Sequence, residues 1–427
     1  MIDGIIKGDG TSRRIRSVSN IKELYPTYES FLEALAAGTV PVDILFYEEG
    51  WSQIPDFLNK ANLFADDTAT LYGDGIRVPN DAFKLLTGLM PTGKGILSIY
   101  TTNSDGDPVS MPIEIETTLG GRKTELYYTS ENGQIFVPVE PQTCTVRIDS
   151  DFYVASKSEY SVTVETGTFK KVTIAAELKA TGNKIITVSS KVAIPKQITL
   201  LDIFVAGAGG SGAAGSGEKT CVTGGAGGKT KTLLKQNLAG KILDISVGAG
   251  GKAVSATIDS ENVSGLSGGK TSISVSGVVL LEADGGNGGN VRTSTSSITS
   301  ASGGSDSGLV NSGTATNGGT NGIPGQGSTT KAFGESSGEL YCSGAGAAYG
   351  YKESSVQGSF DKQSTSNGGT GSGDGIIVSS EIATGRDATS KGSGGGPILT
   401  SIRVNAASSS MKVTSGNGAD GIARIRW

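Results

Sequence analysis

Histidine is absent from this chain of 427 residues, and cysteine and aromatic residues are scarce. Without histidine the chain cannot form a Ser-His-Asp nucleophile, and it lacks the side chain that most often binds zinc. Its three cysteines, Cys144, Cys221 and Cys342, have neither the even number of a disulfide framework nor metal-site spacing. The composition argues against an enzyme, so we expect no catalytic residue, metal or cofactor.

Charged residues are also few, at 18% of the chain, and the net charge is only −5. Nucleic-acid binding requires clustered Lys and Arg, and Arg13, Arg14 and Arg16 are too few for it. No apolar run reaches the ~20 residues of a membrane-spanning helix. The first residues, MIDGIIKGDG, lack the charged and apolar regions of a secretory signal. We therefore expect no nucleic-acid partner, no membrane span and no secretory signal.

Glycine is the abundant residue, with 66 copies that lie mostly after Leu200. Average usage of roughly 7% would give less than half of that number. This shift in composition marks a domain boundary. We predict a mainly β, multidomain chain with four parts: a small helical N-terminal module (1–90), a β-sandwich spacer (91–180), a linker (181–197) and a glycine-rich β C-terminal domain (198–427).

The helical prediction for residues 1–90 rests on the segment YESFLEALAAG. Thr27 precedes it as a candidate N-cap and Gly38 ends it as a candidate C-cap. The apolar residues between them recur on one helical face: Phe31, Leu32 and Leu35. Two further short helices are predicted to follow within the module. Each has little apolar surface, so the module would need a partner surface for stability.

Residues 91–180 alternate apolar and polar side chains over short runs that turn sequences separate. The turns are predicted at 103–106 and 131–133, and Asp149 and Asp151 are expected to form turns rather than bind metal. Cys144 falls within a predicted strand. The pattern is typical of a β-sandwich, and it resembles the Ig-like or carboxypeptidase-regulatory-like sandwiches that act as spacers in extracellular proteins.

From residue 198 onward the sequence alternates short strands with glycine-rich stretches. The predicted strands are 198–206, 229–236, 241–247, 270–275, 277–283, 375–379, 398–404 and 421–427. We expect the segments GAGGSG, GGAGGK and GSGGGP to pack backbone against backbone as polyproline-II-type helices. The long polar stretch 290–321 is expected to be mobile. We also expect the first and last strands, which contain Ile203 and Ile425, to lie side by side.

Two glycine motifs imitate nucleotide-binding signatures. Gly207, Gly209 and Gly212 satisfy G-x-G-x-x-G after a strand, but the residues that follow cannot form the required helix. The G-K-T sequence at 228–230 lacks the first glycine of a P-loop, because Thr223 stands there. GGKT occurs twice, at 227–230 and 268–271, each time before a strand. We interpret these motifs, and GNGADG at 416–421, as structural.

Two stretches resemble tail-fibre proteins of phages and prophages. LNKANLFADDTATLYGDGIRVPNDAFKLL (58–86) is similar to a module of tail appendages from Firmicutes phages. The strand before GAGGSG, the segment QGSTTKAFGESSGELYCSGAGAA (326–348) and the ending DGIARIRW are similar to the glycine-rich C-terminal domain of tail fibres. The resemblance implies a trimeric virion protein in which residues 1–90 contact other tail or baseplate proteins.

The same resemblance implies that the glycine-rich domain binds a bacterial cell-surface receptor, with a surface glycan as the expected ligand. Exposed aromatic and charged side chains on its loops are the candidate contacts, because aromatic rings stack on sugars at low entropic cost. The candidate residues are Tyr349, Tyr351, Lys352, Phe360, Asp361, Arg386 and Asp387. The tyrosines could instead pack against glycine backbones. Two other functions stay open: a cellular surface adhesin and a polysaccharide-degrading tail enzyme.

Overall fold

The computed structural model describes Ser30 and residues 93–427, except 218, 259–260, 294–296, 320–330, 353–359, 380–381 and 402–411. The chain divides into two compact units, Met1–Leu178 and Lys179–Trp427. The helical module predicted for residues 1–90 lies outside the described residues apart from Ser30, which is helical. Among the described residues, no helix has the length and apolarity that crossing a bilayer requires.

Two four-stranded sheets make up the described part of the first unit. One has the order β4-β1-β8-β6 and includes the parallel pair β1–β8, and the other has the order β3-β2-β5-β7. Their strands are β1 (Gly95–Thr102), β2 (Pro112–Thr117), β3 (Lys123–Tyr128), β4 (Gln134–Val139), β5 (Gln142–Arg147), β6 (Tyr153–Ala155), β7 (Glu159–Val164) and β8 (Phe169–Leu178).

Alternating side chains bury one face of each sheet. In β8, Val172, Ile174 and Ala176 are buried while the residues between them are exposed. The β5 residue Cys144 is fully buried, and burial raises the pKa of its thiol. Asp149 forms a turn by accepting a hydrogen bond from the Asp151 amide at 3.0 Å. The predicted strand at Cys144 and the predicted turn at Asp149 are confirmed.

The second unit contains only short strands in its described residues, with one 3₁₀ turn at Ala332–Gly334. The strands are β9 (Asn183–Ile186), β10 (Ser190–Ala193), β11 (Leu201–Ala206), β12 (Ala214–Ser216), β13 (Lys219–Thr223), β14 (Thr230–Gln236), β15 (Ile242–Ser246), β16 (Ser255–Thr257), β17 (Thr271–Val275), β18 (Val278–Ala283), β19 (Val291–Thr293), β20 (Ser297–Ile298), β21 (Val310–Asn311), β22 (Thr314–Ala315), β23 (Ala347–Tyr351), β24 (Lys362–Thr365), β25 (Ile376–Val378), β26 (Ala383–Thr384), β27 (Ile398–Thr400), β28 (Lys412–Thr414) and β29 (Ile422–Arg426).

The first and last long strands of the glycine-rich unit pair with each other. β11 lies antiparallel to β29, with Ile203 opposite Ile425, and the sheet order is β14-β11-β29-β9. This pairing confirms the prediction from sequence. The side chain of Trp427 donates to the Lys179 carbonyl at 3.1 Å, so the chain end lies where the chain enters the unit. We call this end of the unit the entry end.

The glycine segment 207–213 leaves β11 and donates hydrogen bonds with a period of three residues. Amides 207, 210 and 213 donate to carbonyls 229, 226 and 223, and amides 208 and 211 donate to 269 and 266. Amides 209 and 212 donate to 419 and 416. Three residues make one turn of a polyproline-II helix, so successive amides point in three directions around the segment axis. The expected backbone-to-backbone packing is confirmed.

The carbonyls of segment 207–213 accept hydrogen bonds from three further parts of the chain. Amides 286 and 289 donate to carbonyls 208 and 211, amides 395 and 398 donate to 210 and 213, and amide 251 donates to 209. The segment therefore contacts other backbone on every side, and its Ala208, Ser211 and Ala213 are fully buried. We call this array of glycine segments the glycine bundle.

Close contact with neighbouring backbone, rather than an unusual backbone conformation, explains why this segment contains glycine. Gly207, Gly209, Gly210 and Gly212 are not among the residues with positive φ. A Cβ added at Gly209 would lie 1.9 Å from the Ser393 carbonyl oxygen, and one at Gly212 would lie 2.1 Å from that of Gly396. Because neighbouring backbones occupy these positions, the G-x-G-x-x-G pattern is a packing motif, as the sequence indicated.

The bundle connects the entry end to a second set of short strands. Segment 207–213 runs from β11 to β12, the chain returns through 224–229 from β13 to β14, and 284–290 runs from β18 to β19. The far strands form small sheets with the orders β19-β13-β23-β24, β12-β27-β25, β16-β28-β26 and β20-β21-β22. We call this far end the loop end, because consecutive strands such as β12–β13 and β23–β24 are joined there.

Two segments differ from the sequence-based description. Residues 181–197, predicted as a linker, contain β9 and β10, which pair with β29 and β15 of the glycine-rich unit. The described residues of 290–321, predicted to be mobile, include β19 to β22, and their Val310 is fully buried. The strands within 290–321 could not be predicted, because strands of two or three residues show no clear alternation of apolar and polar side chains and the stretch contains few large apolar residues.

Substitution of Gly209 by alanine tests the packing role of bundle glycines. We expect Gly209→Ala to lower the free energy of unfolding by more than about 3 kcal/mol, because the methyl group must separate two hydrogen-bonded backbones. Gly277→Ala is the control: Gly277 has φ +81° with no atom within 4 Å of an added Cβ, so about 1 kcal/mol is expected. Denaturant unfolding of the full chain measures both, and equal losses would contradict the packing role.

Candidate ligand-binding surface at the loop end

In the sheet β19-β13-β23-β24, strand pairing places the predicted site residue Tyr351 in one row with two lysines that were not predicted. β23 lies between β13 and β24, with Tyr351 opposite Lys219 on one side and opposite Lys362 on the other. The Lys219 Nζ lies 5.4 Å from the Tyr351 ring centroid, and the Lys362 Nζ lies 5.9 Å from it. Both lysines are exposed and the tyrosine is half-buried.

A third cation lies two residues further along the same face. Arg292 on β19 is opposite Cys221 on β13, and Cys221 shares the strand face of Lys219. The Arg292 guanidinium is exposed and donates to the Ser297 carbonyl at 3.0 Å. We call Lys219, Tyr351, Lys362 and Arg292 the Tyr351 cluster.

The Tyr351 cluster borders an apolar core on the same sheet face. Cys221, Tyr349, Ile298 and Val310 are buried together in this core, and Tyr351 packs against it. Burial raises the pKa of the Cys221 thiol to about 11, although the Arg292 charge opposes this shift. The thiol is therefore neutral at physiological pH and is a weak nucleophile. The cluster can bind, but it offers no activated nucleophile.

Two aromatic residues named from the sequence fill cores of the loop end instead of facing solvent. Tyr349 is 5% exposed, and its ring lies against Gly313, where an added Cβ would be 3.2 Å from it. Phe360 is 7% exposed and covers Gly350, where an added Cβ would be 2.3 Å from its ring. Both side chains pack on glycine, which for Tyr349 was the alternative interpretation.

The four other predicted residues lie in different surroundings. Lys352 follows Tyr351 but is only 6% exposed, while Asp361 precedes Lys362 and is exposed. Arg386 forms an ion pair with Asp374 at 2.6 Å. Asp387 accepts hydrogen bonds from the backbone amide and side-chain amide of Asn417. Asp387 thus supports the segment 416–421, and the structure does not bring Arg386 or Asp387 to the Tyr351 cluster.

Sequence reasoning missed Lys219, Lys362 and Arg292. Each is an isolated cation in a polar or glycine-rich surrounding, with no spacing that signals a site. Only the register of three strands, which are distant in sequence, places them beside Tyr351.

At the entry end, the three stretches that carry the tail-fibre resemblance meet. Phe204 of β11 contacts Phe333 and Tyr341, with ring centroids 6.1 and 5.2 Å apart. The guanidinium of Arg426 in β29 lies 4.4 Å from the Phe333 ring centroid. Phe333 has φ +56°, a backbone conformation that is unfavourable for a residue with a large side chain. The surrounding packing holds it in place. The described residues of these motifs therefore pack together at the entry end.

Arg426 also binds Asp202 across the first and last strands. Its Nη2 lies 2.7 Å from Asp202 Oδ2, and the Lys235 amide donates to Asp202 Oδ1 at 2.9 Å. Burial would raise the pKa of the Asp202 carboxyl, but hydrogen bonds from Arg426 and Lys235 outweigh it. The pKa is therefore held below its ordinary value of 3.8.

A family model described as a glycine-rich domain matches residues 186–427. The chain belongs to this glycine-rich domain family. The matched region begins at β9 and ends at Trp427, so it covers the entry end, the glycine bundle and the loop end. The resemblance of this part to a glycine-rich domain is confirmed. The comparison with curated proteins finds no match.

Solved structures similar to this glycine-rich protein share little sequence with it. A streptococcal ancillary pilin is 10% identical with a TM-score of 0.20, and the match covers 44% of this chain and 55% of the pilin. The TIE protein of Bacillus anthracis is 9% identical with a TM-score of 0.18, covering 73% of this chain and 51% of that protein. A leucine-rich repeat protein from Bacteroides thetaiotaomicron is 11% identical with a TM-score of 0.16, covering 47% and 25%.

The Asp202–Arg426 pair predicts a pH-dependent stability difference. Because the folded pKa of Asp202 is depressed, its contribution is present above about pH 4 and is lost as pH falls through the folded pKa. We expect Asp202→Asn to lower the free energy of unfolding by about 1–2 kcal/mol at about pH 7, and to have little effect at about pH 2. Denaturant unfolding at both pH values measures this difference.

The control is Asp244→Asn, which removes an exposed carboxylate that forms no ion pair among the described residues of the glycine-rich unit. Its effect should be small at both pH values. An Asp202→Asn effect that stays the same from neutral to acidic pH would contradict the role of this pair.

Proposed function

We propose that this chain is a tail-fibre protein of a phage or phage-tail-like particle, and that its loop end binds the bacterial cell surface. One observation carries the proposal: the glycine bundle presents the Tyr351 cluster and the other loop-end side chains at one end of the unit. The motifs of residues 58–86 and 326–348, which resemble tail-fibre sequences, supply the biological context.

Rigid presentation favours binding, because a preorganised surface loses little conformational entropy when it meets a ligand. A single loop–glycan contact in the millimolar range is worth only about −4 kcal/mol. Several copies on one particle can raise avidity by about 10²–10⁴. A weak site at each loop end is therefore sufficient for attachment of a multivalent particle.

The remaining parts of the proposal follow from the resemblance. Residues 1–90 would attach the chain to other tail or baseplate proteins, the β-rich first unit would serve as a spacer, and the fibre would be a homotrimer in the virion. The receptor is a surface glycan of the bacterium. The loop end acts by binding alone, without a cofactor or a catalytic group.

Binding of labelled full chain to a panel of Gram-positive bacteria tests the proposal. We expect saturable binding to some strains, and we expect Tyr351→Ser to weaken it about tenfold, since the aromatic contact is lost. Tyr160→Ser is the matched control. Tyr160 lies on the other unit and also has a lysine, Lys157, with its Nζ 4.9 Å from the ring centroid.

Three results would contradict the proposal. They are the absence of binding to every strain, equal loss of binding in both variants, and release of sugar fragments during incubation. The last result would indicate a polysaccharide-degrading enzyme instead.

A further inference from the structure

We propose that the Tyr351 cluster selects an anionic glycan, with its carboxylate or phosphate groups held by Lys219 and Lys362 and a sugar ring against Tyr351. This inference rests on the proposed function and narrows its ligand class. The shared chemistry is a repeated negative charge on a sugar polymer.

The first argument is the contrast between these lysines and others of the same unit. Lys229 lies 3.0 Å from Asp284, and Lys270 lies 2.8 Å from Glu282, so the two lysines of the GGKT motifs are neutralised by neighbouring carboxylates. Within the described part of the chain, neither Lys219 nor Lys362 forms an ion pair. Both lysine side chains are exposed.

The second argument is that three cations lie on one face of this sheet, and none of them forms an ion pair with a described residue. Lys219 and Lys362 approach the Tyr351 ring from β13 and β24, the two strands on either side of β23. Arg292 lies on the same face of the sheet. Cations on one face repel one another, and a bound anion reduces that repulsion. These three positive charges share one sheet face in a chain whose net charge is −5. The exposed Asp361 directly precedes β24.

The third argument concerns the neutral part of the ligand. The half-buried Tyr351 side chain lies on β23 and packs against the buried core that contains Tyr349. Such a ring offers an apolar surface to a sugar at low entropic cost, while lysine ammonium groups donate charge-assisted hydrogen bonds to carboxylate or phosphate oxygens. An anionic sugar polymer combines both features.

Titration of the full chain with three defined polymers tests the inference: polygalacturonate, phosphorylated dextran and the uncharged polymer dextran. We expect binding to at least one anionic polymer and none to dextran. The variant Lys219→Gln/Lys362→Gln should weaken the anionic binding about tenfold or more, since two charge-assisted hydrogen bonds are lost. Added salt should weaken the wild-type binding, because the cluster is exposed.

The matched control is Lys191→Gln/Lys231→Gln, which makes the same change in net charge at exposed lysines of the entry end. Its affinity for the anionic polymers should equal that of the wild type. Thermal unfolding of each variant separates a loss of binding from a loss of structure, since a purely structural role of the lysines would lower the Tm and leave the affinity unchanged.

The polymer that binds identifies the source of the negative charge as carboxylate or phosphate. Equal affinity for dextran, or wild-type affinity in Lys219→Gln/Lys362→Gln, would overturn the inference. Cell binding without binding of either anionic polymer would overturn it while leaving the proposed function standing. Polymer binding without cell binding would overturn the proposed function alone.

Discussion

Direct hydrogen bonding between glycine backbones is the interaction on which the glycine-rich unit depends. A polyproline-II segment points its amides in three directions, so segment 207–213 bonds to neighbours all around it and not only within one plane. The absence of Cβ atoms lets these neighbours approach closely, as the carbonyl oxygen beside Gly209 illustrates. The interior of the bundle is thus stabilised by satisfied backbone polar groups, where an ordinary domain would bury large apolar side chains.

Because the bundle has few side chains of its own, apolar cores are confined to its two ends. At the entry end, Phe204, Phe333 and Tyr341 form one cluster with β11 and β29. At the loop end, small groups around Phe360, Tyr349 and Ile398 support the short sheets. Each end can therefore carry a different task without altering the array between them: one closes the unit, and the other displays side chains.

The strands with clear alternation, such as β15 and β17, could be predicted from sequence, as could the pairing of β11 with β29. The glycine segments were correctly expected to pack, but sequence does not state which segment lies beside which, because glycine has no side chain to encode a partner. The candidate site could not be predicted either, because it depends on which strands pair and in which register. Tyr349 and Tyr351 look equivalent in sequence, and only strand register buries one and places the other between two lysines.

The three-residue period of the bundle also governs how such a chain can change in length. Adding one residue inside segment 207–213 rotates every following amide by a third of a turn, toward the wrong neighbour. Adding three restores the direction but shifts the pairing along the axis. Insertions and deletions are thus compatible with the array only beyond its ends. Length variation in a lineage of such chains would accumulate at the loop end, where β12 connects to β13 and β23 connects to β24, which is the surface that we propose for binding.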